Sequence, residues 1–128
     1  MRATVDLDNP SIAQVRQSWE ILANHGDGRV YGRVSSSDTG IHLKVHGCDP
    51  TKVRSIRIAA ADDPKRLSYD SKTVAKPKQI LFSDKRGKSA GEWCDSLDEV
   101  LAEYRKLAPA AYHRKMLLAI YPVARGLI

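Results

Sequence analysis

Asp6 and Asp8 stand two residues apart in Thr4-Val5-Asp6-Leu7-Asp8. On an extended strand, positions i and i+2 project from the same face, with backbones about 6–7 Å apart. Carboxylates so placed can share Mg2+ or Mn2+, which prefer oxygen ligands. The plainer reading is a strand end with two solvated acids, one of them favouring the N-terminus of a following helix. A second set of chemistry-bearing residues lies in two alternating runs. Arg29 to Ser35 puts Val30, Gly32 and Val34 on one face and Tyr31 and Arg33 on the other. Ile41 to His46 puts Ile41, Leu43 and Val45 on one face and His42, Lys44 and His46 on the other. Paired as a hairpin across the turn-rich Ser36-Ser37-Asp38-Thr39-Gly40, these runs make one apolar and one cationic face.

The elements that must position these residues follow from periodicity. Arg2 to Leu7 reads as a strand. Asn9-Pro10-Ser11 supplies a helix start, with a capping side chain and then proline at the first helical position. Ile12, Val15, Trp19 and Leu22 recur at helical spacing through Ala23, and His25-Gly26-Asp27-Gly28 ends that helix. Asp49-Pro50 opens a second helix, with Val53, Ile56 and Ala60 inward and Arg54 and Arg57 outward. Asp62-Asp63-Pro64 breaks it and starts a short helix to about Tyr69. Gln79 to Ser83 reads as a fourth strand, followed by the basic turn Asp84-Lys85-Arg86-Gly87-Lys88. Asp95 or Ser96 caps an amphipathic helix with the stripe Leu97, Val100, Leu101, Tyr104 and Leu107. Pro109 starts a last helix, ending near Tyr121-Pro122.

The order β-α-β-β-α-β followed by helices predicts an α+β, ferredoxin-like or RRM-like sheet with helices on one face and the other face open. Residues 1–90 form the core, and residues 91–128 form a helical extension packed on it. The extension's apolar positions could also serve a homodimer or a replication partner, the plainer reading being a pack against the covered side of the sheet.

The charge is unevenly placed. Residues 33–90 hold thirteen of the 21 Lys and Arg but only six of the 15 Asp and Glu, so the whole excess of +6 sits in the middle of the chain. A local basic excess suits a polyanion, because neutralised phosphates release counterions. DNA or RNA is the expected partner. Tyr31, Arg33, Lys44 and His46 would meet it on the open face, and Lys76, Lys78, Lys85, Arg86 and Lys88 along the fourth strand. Cys48 and Cys94 have neither C-x-x-C nor Cys/His spacing, which argues against a disulfide framework or a common zinc site and for reduced thiols in the cytoplasm. The longest apolar-rich stretch, 116–128, is too short and interrupted to span a bilayer, so no membrane role is expected.

The motif order resembles the archaeo-eukaryotic primase, or primase-polymerase, superfamily. That superfamily carries an hhhDhD strand, a helix, and a hairpin with a small-residue turn and a G-x-H element. Here these are Thr4 to Asp8, the helix after Ser11, and Ser36-Ser37-Asp38-Thr39-Gly40-Ile41-His42. The likeness covers about residues 3–85. It implies an RRM-like core in DNA replication, with Asp6 and Asp8 as metal ligands and His42 on the phosphates of an incoming nucleotide. A third acid would be Asp62, Asp63 or Asp70, with Asp70 the choice. Full members carry a second module that 128 residues leave little room for. A reduced relative that binds nucleic acid without chemistry therefore fits the length better, and such compactness suggests a viral or plasmid source. His42 and His46 also invite comparison with rolling-circle nucleases, but those use two histidines one residue apart. Here the rings fall roughly 13 Å apart along a strand, too far to share one metal.

Overall fold

A computed structural model describes residues 1–71 and 90–120, with side chains through 68 and again from 90 to 111. The expected strand at 79–83, the four lysines and one arginine from 76 to 88, and the chain end after 120 lie outside the described residues. So does the side chain of Asp70.

The fold is α+β: β1 (Ala3–Asp8), α1 (Ile12–His25), β2 (Val30–Val34), β3 (Gly40–Val45), α2 (Val53–Ala59), α3 (Pro64–Ser71) and α4 (Leu97–Ile120). The three strands form one antiparallel sheet in the order β1-β3-β2. Because β1 and β2 each run antiparallel to β3, they are parallel to one another, and α1 connects them across the inserted strand.

The alternation seen in the sequence becomes rows across this sheet. Leu7, Ile41 and Val34 form one row, and Val5, Leu43 and Gly32 another. Ala3, Val45 and Val30 form a third. All are buried on the side covered by α1 and α4, where they join Val15, Leu22, Val100, Leu101 and Tyr104 in one core. Gly32 lets the helices approach. A Cβ there would stand 3.0 Å from Trp19, 3.1 Å from Leu43 and 3.2 Å from Val100. Ser18 ties α1 to the end of α2 by donating to the Ala60 carbonyl at 2.8 Å.

Several local expectations are corrected. Ser11, not Asn9, caps α1: its Oγ accepts from Gln14 N at 3.1 Å, while Asn9 turns the chain at φ 48° and donates to the Thr39 carbonyl. Asp49 accepts from both the amide and the hydroxyl of Thr51 in a turn of its own, so α2 begins only at Val53. Arg57 points inward, not outward. Pro109 does not start a new helix but lies inside α4. Its missing N–H leaves the Arg105 carbonyl without its helical partner. The helix nevertheless continues because Leu107, Ala108 and Ala111 on either side of the proline face inward.

Both sheet margins are occupied. At β1, Asp6 N donates to Asp62 Oδ1 at 2.8 Å and the Asp6 carbonyl accepts from Asp63 N at 3.1 Å, so the α2–α3 turn sits against the strand. At β2, residues 91–94 pair as a short antiparallel segment. Gly91 N donates to the Val34 carbonyl, and Gly32 and Cys94 exchange both backbone bonds.

Candidate nucleic-acid interface

The rows that face away from α1 and α4 hold the polar side chains. In one row, Asp6, His42 and Arg33 lie side by side across all three strands. In the next lie Thr4, Lys44 and Tyr31. The backbone groups of Asp6 point outward to Asp62 and Asp63, so Asp6 and His42 are a non-hydrogen-bonded pair, the closer of the two antiparallel pairings.

Arg33 Nε donates to His42 Nδ1 at 3.1 Å. A guanidinium has no lone pair to offer, so Nδ1 is the acceptor and the ring proton belongs on Nε2. That nitrogen faces Asp6 Oδ1 at 3.8 Å. His42 is thus held from both sides and is only 5% exposed, which corrects the expectation that it stands free on an open face. Asp8 is exposed at the strand end opposite Gly40.

Two of the three candidate third acids, Asp62 and Asp63, are also placed. The Asp62 carboxylate is buried and spent: Oδ2 accepts from Arg57 Nε at 2.9 Å, and Oδ1 accepts from Arg66 Nη1 at 2.7 Å. Asp63 accepts from Lys65 N at the start of α3. The small-residue turn binds itself, Ser37 Oγ lying 3.0 Å from both Ser35 Oγ and Thr39 Oγ1. Among the described residues, no three His, Cys, Asp or Glu side chains converge to hold a metal ion. His42 presents Asp6 with its N–H and not a lone pair. His42 as it stands is therefore not a metal ligand, and the expected ligands remain Asp6 and Asp8, with the side chain of Asp70 outside the described residues.

Burial pushes the Asp6 carboxyl above its ordinary value of 3.8. Arg66 draws it back, and Asp62, Asp63 and Asp8 push it up further. A carboxyl raised on folding contributes stability that is full below the unfolded value and is lost as pH rises through the folded one. The expected outcome is that Asp6→Asn gains stability relative to the natural chain as pH rises past 3.8. Urea unfolding at a series of pH values checks this, and a variant that loses ground over that range contradicts it.

No family model, curated protein or solved structure matches this chain. The site must be judged from its own geometry.

That geometry is cationic and aromatic. The segment 91–94 lays Trp93 against the polar face, with the Arg33 guanidinium 4.3 Å and Lys44 Nζ 4.2 Å from its ring centre. Lys44 Nζ is also 5.8 Å from the Tyr31 ring, and the His46 ring meets Tyr31 edge-on at 6.4 Å and 73°. Burial lowers the Lys44 pKa from its ordinary 10.5, and the charges of Arg2 and Arg33 lower it further. Three cations therefore crowd one patch, where an anion would relieve their repulsion. Tyr31, Arg33, Lys44 and His46 come together as the alternation predicts. Trp93 was not foreseen. Its only sequence signal is an aromatic between Gly91 and the capped start of α4, and nothing local says which strand it pairs with.

Proposed function

We propose that this chain is a nucleic-acid-binding protein whose polar sheet face holds DNA or RNA. The observation that carries the reading is the convergence of Arg2, Arg33 and Lys44 with Tyr31, His46 and Trp93 on the sheet side away from α1 and α4. Cations offer phosphate contacts, and rings offer stacking surfaces for bases. The order β1-β3-β2 with parallel outer strands is that of a split β-α-β unit, so we read the sheet as part of a ferredoxin-like or RRM-like fold. On this reading the chain is a binding-only relative of the primase-polymerase superfamily, acting in the cytoplasm with Cys48 and Cys94 as thiols. No helix among the described residues is long and apolar enough to cross a membrane.

The rival reading is metal-dependent nucleotidyl transfer through Asp6, Asp8, His42 and Asp70, favoured by the approach of His42 to Asp6. One set of assays separates the two. Lys44→Glu and Arg33→Glu are each expected to weaken nucleic-acid binding by about tenfold and to flatten its salt dependence. Arg105→Glu, on the exposed side of α4, is expected to change it little. Equal effects at all three positions would rule out the sheet face. Binding that persists in Asp6→Ala and Asp8→Ala supports the binding reading. Primer synthesis with Mn2+ that both substitutions abolish would establish the rival.

A further inference from the structure

Resting on the binding reading, we infer that the face takes single-stranded nucleic acid, with bases stacked on Trp93 and Tyr31 and phosphates on the Lys44 and Arg33 side. Trp93 and Tyr31 line one recess of about 650 Å³, within the range of about 300–1,000 Å³ that small-molecule sites occupy. Both rings are partly exposed, so each has surface to offer a base. Stacking on aromatic rings is open to every base, but only where the bases are unpaired and splayed from the helix.

The charges around the recess choose between one strand and two. On the sheet side, Arg33 and Lys44 lie at 4.3 and 4.2 Å from the Trp93 ring centre. The rest of the recess is lined by Cys94 and by four exposed acids, Glu92, Asp95, Glu99 and Glu103. A single strand carries phosphates along one side and bases along the other, and so can lay its charge on the cations while its bases enter the recess. A duplex carries phosphates on both flanks and would set one backbone against four carboxylates. Repulsion of that kind discriminates as effectively as attraction does.

Trp93 lies on a segment at the β2 margin, with its ring against Arg33 and Lys44. Its segment is joined to β2 through Gly91 and Cys94 alone among the described backbone pairs.

Fluorescence anisotropy of the full chain with labelled oligonucleotides of equal length, single-stranded and duplex, tests the inference. The single strand is expected to bind at least about tenfold more tightly. Trp93→Ala is expected to weaken single-strand binding by about tenfold or more and to leave the weak duplex binding unchanged, while Trp93→Phe keeps most of the affinity. Duplex binding as tight as single-strand binding overturns the inference. So does a Trp93→Ala chain that binds more tightly, since the ring would then be covering the face. If Trp93→Ala fails to fold, the strand comparison and Trp93→Phe still decide. Failure to bind either form at ~100 mM salt would instead overturn the binding reading itself.

Discussion

Asp62→Ala is expected to destabilise the fold by about 3–5 kcal/mol, a large share of the roughly 5–15 kcal/mol that holds a domain together. Asp62 is 3% exposed, as is Arg57, and Arg66 is 8% exposed. The carboxylate meets Arg57 Nη2 at 2.8 Å and Arg66 Nη1 at 2.7 Å, while Arg66 Nη2 donates to Thr4 Oγ1 at 2.9 Å. The same carboxylate accepts from the backbone of Asp6 and Asp63. Removing it strands two buried guanidiniums and releases the turn that closes the β1 margin. The cost comes from the uncompensated charges, not from the loss of a favourable pair. Replacing the whole group, Arg57→Met with Asp62→Leu and Arg66→Met, is therefore expected to leave a more stable chain than Asp62→Ala alone. Urea unfolding followed by tryptophan fluorescence measures both. An Asp62→Ala chain within 1 kcal/mol of the natural one, on the order of an exposed pair, would mean that the two arginines do not depend on this carboxylate.

The second large effect lies on the other side of the sheet. Leu43→Ala is expected to cost about 2–5 kcal/mol, the removed contacts and the cavity both contributing. Leu43 is fully buried at the centre of the middle strand and fills the space beside Gly32 beneath Trp19 and Val100. This packing makes a coupled prediction. Gly32→Ala alone should destabilise, because its new methyl would sit 3.0–3.2 Å from Trp19, Leu43 and Val100. In the Leu43→Ala background the same methyl enters the vacated space, so the double variant should lose less than the two single losses together. A double-mutant cycle by chemical denaturation reads this directly. Strict additivity would show that the two positions do not share the space.

The covered face of the sheet was legible in the sequence. Strands have a period of two, so Val30, Val34, Ile41, Leu43 and Val45 could only be buried together once one of them was. The same period set Asp6, His42 and Arg33 on the opposite face, and the pairing register then drew them into one row. Local chemistry was less certain at helix ends. The cap expected at Asn9, with Pro10 as the first helical residue, falls instead on Ser11, and only the observed bond from Gln14 N shows it. The break expected at Pro109 rested on a local cost that the packing of Leu107, Ala108 and Ala111 outweighs.

What the sequence determined by itself was the alternation of β1, β2 and β3, the apolar stripes of α1 and α4, and the gathering of positive charge in residues 33–90. These depend on short-range geometry, which neighbouring residues carry in their order. What only the tertiary structure decided was which distant groups meet. It buried His42 between Arg33 and Asp6, spent Asp62 on Arg57 and Arg66, and laid Trp93 over the cations of the sheet. The His42 and Trp93 contacts join different strands, and the Asp62 group, although its arginines lie only four and five residues away, is buried where the α2–α3 turn sits against β1, so these partners are set by how whole elements pack, which no local pattern records.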